Sequence, residues 1–543
     1  MPLLFLLSFL AFSFVQGPVY AGSLLVVQVH DNAGKMYSQG VAAYKSAVYD
    51  EAVACWKDAA EAGHVNAMCN LGSCYAKGVG VSINYRQAVK WWTEAAERGS
   101  DVAQCNLGNC YMKGNGVKAD PEKAVDWYMM SASQGNPMAL TALGRCYLDG
   151  NGIVEDAIAA AECFHKAAAM GYPAAQCELA GCYYSGSGVE QSLAEAVYWY
   201  RKSAHGGYPL AQRLLAICYE NGEGVEHSYA DAAKWYRAAA LQGDAESQSC
   251  LAEFHSAGKG VVKDWAEAAK WYNAAAEQGY VDAQYELAGC YYSGKGVDVD
   301  LHKAFKWYKK AADKGDLDAM CQLASCHYMG EGTAQDYVRA ARMYRKAAES
   351  GHADAQFYIA ECYMNGLGVD FDMAEAWRWY NEAASQDHAG AQNALGVFYH
   401  DGIMVEKDME KAFAAFTSAA ELGHAEAQFN LANCYYSGRG VVQDRLKAAR
   451  LFIQAAEQGH MLAQHNLAVC FYNGIELERS YSEAVKWYKK AAAQGYACSQ
   501  YDLGLCYYNG DGVEKNIDEA IKWWKLAAEQ EYEPAIRALK NTR

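Results

Sequence analysis

Glycine recurs at a fixed interval along almost the whole chain. From Gly63 onward, a step of 36 residues runs through thirteen units without an insertion or a deletion. The marker positions are Gly63, Gly99, Gly135, Gly171, Gly207, Gly243, Gly279, Gly315, Gly351, Asp387, Gly423, Gly459, Gly495 and Glu531. Repeats of this length bury their apolar faces only by stacking on their neighbours. The interval therefore predicts one solenoid, not the three or four domains of about 150 residues that the length alone suggests.

Each unit carries the signals of two helices, called helix A and helix B in chain order. In the unit after Gly279, residues 282–292 place Ala283, Leu287 and Cys290 at helical spacing, which predicts helix A. Gly294 ends that helix, because a helix C-terminus commonly needs a left-handed residue. Asp300 then begins helix B as its N-cap.

The N-cap position of helix B holds a good capping residue in all thirteen units. These residues are Asn84, Asp120, Asp156, Ser192, Ser228, Asp264, Asp300, Asp336, Asp372, Asp408, Asp444, Ser480 and Asn516. This agreement fixes the register of the array at residues 64–531. We expect a partial repeat or cap at residues 22–63 and a short stub at residues 532–543.

The repeated residues resemble the Sel-1-like repeat, a relative of the tetratricopeptide repeat. Clear examples are Ala175-Gln176 with Leu179, the loop 186–189 that reads GSGV, and the Trp199-Tyr200 pair in helix B. The resemblance covers nearly all of the chain. It implies an all-α, right-handed superhelical α-solenoid of about thirteen 36-residue helix pairs.

The resemblance also implies a function. Proteins of this kind act mostly as adaptors or scaffolds without a cofactor, and they include secreted bacterial proteins and lumenal subunits of endoplasmic-reticulum quality-control ligases. A cysteine-rich branch is credited with hydrolase activity of the β-lactamase type. We therefore expect a non-catalytic scaffold for a protein or peptide. A hydrolase and a structural subunit of a membrane-associated complex remain as alternatives.

The N-terminus reads as a secretory signal peptide over residues 1–21. Residues 3–15 are almost entirely apolar, and Val19 and Ala21 suit a cleavage site before Gly22. No Lys or Arg precedes Lys35, so an uncleaved anchor or a misassigned start is the alternative. The apolar run is shorter than the roughly 20 residues of a membrane-spanning helix. We expect a chain in the medium, the periplasm or the endoplasmic-reticulum lumen, without membrane insertion after cleavage.

The charge balance and the absence of catalytic motifs reduce the number of functions that the chain could have. The chain has 64 acidic and 47 basic residues, a net charge of −17, which disfavours nucleic acid as a partner. The sequence contains no P-loop, no HExxH, no GxSxG and no CxxC motif. Each recurring GxG follows a helix and not a strand, so it predicts a helix stop. We therefore expect no catalytic, cofactor or metal site.

Nineteen cysteines first suggest disulfides in a secreted chain. Eleven of them share one helix A position, and equivalent positions in adjacent repeats are too far apart to pair. We expect these eleven to be small buried residues. Two pairs across a helix B to helix A turn could form disulfides, Cys55 with Cys69 and Cys163 with Cys177.

Five histidines lie at the turn from helix B to the next helix A, where we expect solvated loop residues: His64, His352, His388, His424 and His460. Three glycines of the pattern are replaced, by Asp387, Met404 and Glu476. These replacements would mark either altered local curvature or drift among redundant repeats.

Two helix A positions predict a binding surface. One carries Tyr184, Tyr292, Tyr328, Tyr436, Tyr472 and Tyr508, and the other, seven residues earlier, carries Tyr285, Phe357, Phe429 and Tyr501. Residues seven apart lie on one helix face, and helix A lines the concave groove of such arrays. Tyrosine suits an interface because it combines a rigid ring with a polar tip. The alternative is that these rings pack against the next repeat.

Overall fold

The computed structural model describes residues 32–542. Over this range the chain forms twenty-nine α-helices and no strand. Odd-numbered helices occupy helix A positions and even-numbered helices occupy helix B positions. The helices are α1 (Asn32–Lys45), α2 (Tyr49–Glu61), α3 (Val65–Lys77), α4 (Tyr85–Glu97), α5 (Asp101–Lys113), α6 (Pro121–Ser133), α7 (Pro137–Asp149), α8 (Ala157–Ala169), α9 (Pro173–Ser185), α10 (Leu193–His205), α11 (Pro209–Asn221), α12 (Tyr229–Ala240), α13 (Ala245–Ala257), α14 (Trp265–Glu277), α15 (Val281–Ser293), α16 (Leu301–Ala312), α17 (Leu317–Met329), α18 (Tyr337–Glu349), α19 (Ala353–Asn365), α20 (Met373–Ala384), α21 (Ala389–Asp401), α22 (Met409–Glu421), α23 (Ala425–Ser437), α24 (Arg445–Glu457), α25 (Met461–Asn473), α26 (Tyr481–Ala493), α27 (Ala497–Asn509), α28 (Ile517–Glu529) and α29 (Glu533–Asn541).

Helix boundaries follow the predicted caps. All thirteen predicted helix B N-caps are confirmed, because each side chain accepts a backbone amide hydrogen from the second or third residue of its helix. Helix A ends at the first loop glycine. In α9 this is Gly186, which has a φ of 78° and donates its amide hydrogen to the Cys182 carbonyl oxygen at 2.8 Å.

The first of two compact units contains residues 32–283 and 295–298 of the described chain. Within it, consecutive helices pack on one another from the pair of α1 and α2 to the pair of α13 and α14. Completely buried alanines such as Ala180 in α9 and Ala196 in α10 allow close approach, and the Tyr200 ring fills the space beside them.

The second unit contains residues 284–294 and 299–542 of the described chain. Here, too, consecutive helices pack on one another, from the pair of α16 and α17 to the pair of α28 and α29. Between α23 and α24, the completely buried Ala432 and Ala448 lie beside the Phe452 ring. Both units thus have the predicted architecture, an all-α solenoid of helix pairs.

The second loop glycine brings each loop against the preceding repeat. Gly188 has a φ of 70°, and a Cβ added to it would lie 1.9 Å from the Ala157 carbonyl oxygen at the start of α8. Asp387, Met404 and Glu476 replace glycines of the pattern but keep the left-handed backbone, with φ of 59°, 59° and 57°. The repeats that lack these glycines therefore keep the loop conformation and accept its strain.

A buried glutamine forms a second link between repeats, which the sequence analysis did not single out. Gln248 in α13 donates a hydrogen from Nε2 to the Ala240 carbonyl oxygen at 3.0 Å. Its Oε1 accepts a hydrogen from Nε2 of Gln278, the C-cap of helix B in the same repeat, at 2.8 Å, so the bond to Ala240 is the one that crosses between repeats. The pairs of this kind are Gln104 with Gln134, Gln212 with Gln242, Gln248 with Gln278, Gln356 with Gln386, Gln428 with Gln458, Gln464 with Gln494, and Gln500 with Gln530.

The eleven cysteines that share one helix A position are buried, as predicted, with exposures of 7% or less. Burial raises the pKa of Cys182 to about 12. They are Cys74, Cys110, Cys146, Cys182, Cys218, Cys290, Cys326, Cys362, Cys434, Cys470 and Cys506.

The structure has free thiols at Cys55, Cys69, Cys163 and Cys177. The two disulfides that the sequence left open stay predictions. The Cys69 Sγ lies 3.1 Å from the Ser100 Oγ in the next repeat. Cys163 and Cys177 belong to different core clusters. The members of each pair lie in consecutive helices, α2 with α3 and α8 with α9.

The predicted signal peptide, residues 1–21, lies outside the described residues. No helix between residues 32 and 542 is long and apolar enough to cross a membrane. Within the segment expected to be a partial repeat, α1 and α2 pack together as a helix pair.

Candidate functional site

The candidate site is a set of equivalent positions on the A helices that includes both predicted aromatic rows. We call it the A-helix face and define it as the second, fifth, sixth, ninth and twelfth residues after each helix A N-cap. In α23 these are Glu426, Phe429, Asn430, Asn433 and Tyr436, all exposed or half-buried. Both predicted aromatic rows belong to this face, at its twelfth and fifth positions.

The twelfth-position tyrosines reach toward the next repeat. Their hydroxyls donate a hydrogen to an acidic residue of the following loop in three cases: Tyr184 to Glu223 at 2.7 Å, Tyr292 to Glu331 at 2.7 Å, and Tyr472 to Asp511 at 2.8 Å. The hydrogen bond to Glu331 is the main reason why the pKa of Tyr292 rises to about 12. These contacts fix the rings, while Tyr292 stays 41% exposed.

The other three tyrosines of this row make looser contacts. Tyr328 packs edge-on against Tyr337, with ring centroids 5.1 Å apart. Tyr436 is 42% exposed, with the guanidinium of Arg445 at 5.6 Å from its ring. Tyr508 is 39% exposed and packs beside Trp524. The row therefore combines contact with the next repeat and exposed ring surface.

The fifth-position aromatics pack more fully between repeats, and all four are half-buried. Phe357 stacks on His388 with ring centroids 4.6 Å apart, and Phe429 stacks on His460 at 4.7 Å. Tyr501 packs against Tyr532 at 5.7 Å, whereas Tyr285 packs at the same distance against Tyr308 of its own repeat. Most ring contacts of this row therefore agree with the alternative that these aromatic residues pack against the next repeat.

The expectation that the five turn histidines are solvated loop residues is wrong, because each is the N-cap of a helix A. The Nδ1 of His388 accepts the amide hydrogen of Ala391 at 3.1 Å, and its Nε2 lies 3.3 Å from the Asp354 carboxylate. Burial lowers the pKa of His388 and of His424. The same capping bond is made by His64, His352, His424 and His460.

Charge on the A-helix face differs between the two units. In the first unit, Arg145 donates two hydrogens to the Glu178 Oε1 at 2.8 and 2.5 Å. Arg213 forms ion pairs with Asp244 and Glu246. In the second unit, the face positions from α17 to α27 carry no Lys or Arg. Their acidic residues are Asp318, Asp354, Glu361, Glu426 and Asp502.

The sequence profile of the Sel1 repeat matches fourteen consecutive segments, from residues 31–64 to residues 499–532. The chain belongs to the Sel1 repeat family. The profile's first segment falls within the part expected to be a partial repeat. Sel1 repeat proteins generally act as protein-interaction scaffolds.

Two solved structures of this family are similar to the chain. One is a protective antigen of uropathogenic Escherichia coli strains that displays an SLR fold, with 33% identity, a TM-score of 0.66, and coverage of 83% of this chain and 96% of that chain. The other is a Sel1 repeat protein from Oxalobacter formigenes, with 32% identity, a TM-score of 0.42, and coverage of 56% of this chain and 88% of that chain. No curated protein matches the chain.

Proposed function

We propose that the chain is a non-catalytic scaffold that binds a protein or peptide along the A-helix face of its second unit. The observation that carries this proposal is the combination of exposed tyrosines with a face that has five acidic residues and no Lys or Arg from α17 to α27. Aromatic rings and a few convergent polar groups are typical of protein interfaces.

The chemistry of this face defines the kind of partner. Its aromatic rings offer apolar contact area, and its carboxylates attract a segment rich in Lys or Arg. The hydrogen bond between Tyr472 and Asp511 holds one ring in place, so less side-chain freedom is lost on binding. A basic segment with interspersed apolar residues fits this surface best.

We also propose that the scaffold works outside the cytoplasm, after cleavage of the signal peptide at residues 1–21. Support comes from the apolar run and the small residues before Gly22. Detection of Gly22 as the mature N-terminus in the native host would establish the cleavage. An intact Met1 would contradict it.

Affinity capture with matched variants tests the scaffold. One bait changes the helix A residues Tyr436 and Tyr508 to Ala, and the control bait changes the helix B residues Tyr198 and Tyr229 to Ala. Their exposures are similar, at 42% and 39% for the first pair and 47% and 36% for the second. Circular dichroism checks that all baits keep their helices.

We expect a protein from the native source that the wild type and the helix B variant capture and the helix A variant loses. Equal capture by all three baits would refute the placement on the A-helix face. Capture of no protein by any bait would refute the scaffold itself and lead to substrate screening for the hydrolase alternative.

A further inference from the structure

One repeat of the first unit contains an arginine seated on the A-helix face. The Glu178 carboxylate, at the sixth position of α9, receives two hydrogens from the Arg145 guanidinium in the preceding helix A, α7. The Tyr208 phenol, at the N-cap of α11, also hydrogen-bonds Arg145. Tyr172, at the N-cap of α9, interacts electrostatically with it. Neither tyrosine caps its helix with its side chain, so both phenols are available to the Arg145 guanidinium. We call the place of this guanidinium, beside the carboxylate and the two N-cap tyrosines, the seat.

The last complete repeat has the same seat without the arginine. Asp502 takes the position of Glu178, and Tyr496 and Tyr532 take the N-cap positions of the two tyrosines. Both tyrosines again leave their helices uncapped by a side chain. The residue equivalent to Arg145 is Val469.

The Asp502 carboxylate therefore lacks its counter-charge. Among the described residues it makes no ion pair, and burial alone raises its pKa to about 6. Both Tyr496 and Tyr532 hydrogen-bond Cys498, and Asp502 also acts on them electrostatically; desolvation is the largest reason why the pKa of each phenol rises to about 12. A half-buried carboxylate with phenols around it is a strong acceptor for a cation that brings several hydrogens.

Aromatic rings line the same place. Tyr501 and Tyr532 meet edge-on with ring centroids 5.7 Å apart, and His465 meets Tyr496 edge-on at 5.0 Å. Burial lowers the pKa of His465 to about 4, so this imidazole is neutral near pH 7 and supplies no counter-charge. In α29, Arg537 is paired with Glu533.

We propose that Asp502, Tyr496, Tyr501 and Tyr532 form a socket for an arginine side chain of the partner. The guanidinium would occupy the seat that Arg145 fills within the chain at the earlier repeat. A planar guanidinium suits this seat because it forms two hydrogen bonds to a carboxylate and packs on aromatic rings. The socket rests on the proposed function, since it names one side chain of the bound segment.

The test uses the full chain and a free cation. N-acetyl-L-arginine amide is titrated by saturation-transfer NMR, with N-acetyl-L-citrulline amide as the uncharged isostere. We expect one site for the arginine derivative and binding of citrulline weaker by about tenfold, the difference typical of a charge-assisted hydrogen bond. Equal binding of the two ligands would overturn the proposal.

Variants then locate the site. Asp502→Asn should abolish binding, and Val469→Arg should abolish it by filling the seat from within, while Val469→Met keeps it. Glu178→Gln should change nothing, because Arg145 already occupies that seat. Arg145→Ala should add a second site. Unchanged binding in Asp502→Asn, equal loss in Val469→Arg and Val469→Met, or a single site in Arg145→Ala would each contradict the socket.

The two proposals fail separately. If the arginine derivative does not bind but the capture experiment still distinguishes the helix A and helix B variants, the socket is wrong and the scaffold stands. If the derivative binds through Asp502 but no bait captures a protein, the socket stands as a small-cation site and the scaffold is wrong.

Discussion

The cap of α21 by His388 makes the stability of this helix end depend on pH. An amide N–H can only donate, so the His388 Nδ1 that lies 3.1 Å from the Ala391 nitrogen must carry its lone pair. The imidazole is therefore neutral, with its hydrogen on Nε2 toward the Asp354 carboxylate at 3.3 Å. Protonation would place a second hydrogen on Nδ1, break the cap and add positive charge at a helix N-terminus.

The pKa of His388 determines whether the cap gains or loses stability as the pH falls. Burial, the largest cause, lowers the pKa of His388, although Asp354 acts in the opposite direction. The folded state thus binds the proton more weakly than the unfolded chain, whose histidines titrate near about 6.5. The stabilisation from the cap is complete above that pH and is lost as the pH falls below it.

The magnitude comes from two opposing contributions. An N-cap bond contributes about 1 kcal/mol. Protonation strengthens the pair with Asp354, but this carboxylate is 63% exposed, and such pairs contribute only about 0.5 kcal/mol. We expect a net loss of about 0.5 kcal/mol, which is about a twofold fall in the protection of the Ala391 amide.

Hydrogen exchange at the start of α21, corrected for the intrinsic pH dependence, measures this loss between pH 7.5 and 5. The matched variant is His388→Asn, which keeps a capping oxygen and cannot titrate. Its protection should not change over this range, while His388→Ala should lose protection at both pH values. The same fall in His388→Asn as in the wild type would refute the reasoning.

Three further predictions concern packing. In urea unfolding, Gly188→Ala should destabilise the chain by about 2 kcal/mol more than Gly171→Ala. Both residues have positive φ, but only a Cβ at position 188 would meet backbone, 1.9 Å from a carbonyl oxygen. Equal destabilisation by the two substitutions would contradict the loop contact. Leu422→Gln should stabilise the chain by about 1 kcal/mol in the same assay. Leu422 occupies the position from which other repeats donate a glutamine hydrogen, and the Gln392 Oε1 that would accept it is buried without a partner. A destabilised variant would contradict the glutamine link. Alkylation of the native chain, read by mass spectrometry, should be confined to the three cysteines that are not fully buried, Cys55, Cys250 and Cys498. Labelling of Cys182 before unfolding would contradict its burial.

The repeat architecture was predictable because each unit carries its own start and stop signals. As their sequence positions predict, the Asp300 side chain caps helix B, and Gly294 ends helix A in the left-handed conformation. Thirteen copies of the same pattern remove the ambiguity that one copy would leave. The buried position of Cys290 followed from spacing alone, since it lies on the same helix face as Leu287.

Contacts between helices were harder to predict, because they depend on which side chain faces which. His388 lies in a turn, and the pattern that marks Asp as a cap does not mark an imidazole, although its place before helix A was a usable signal. The Tyr292 hydroxyl bonds Glu331 in a loop of the next repeat, which the spacing within one helix does not indicate. The link between Gln248 and Gln278 did leave a signal, a second glutamine thirty residues later.

The most direct test of the scaffold is photo-crosslinking in the native host. A benzophenone side chain replaces Tyr436 on helix A in one variant and Tyr198 on helix B in the other, two positions of similar exposure. We predict a covalent adduct with one protein from position 436 and none from position 198. Adducts of equal yield from both positions, or none from either, would contradict binding along the A-helix face.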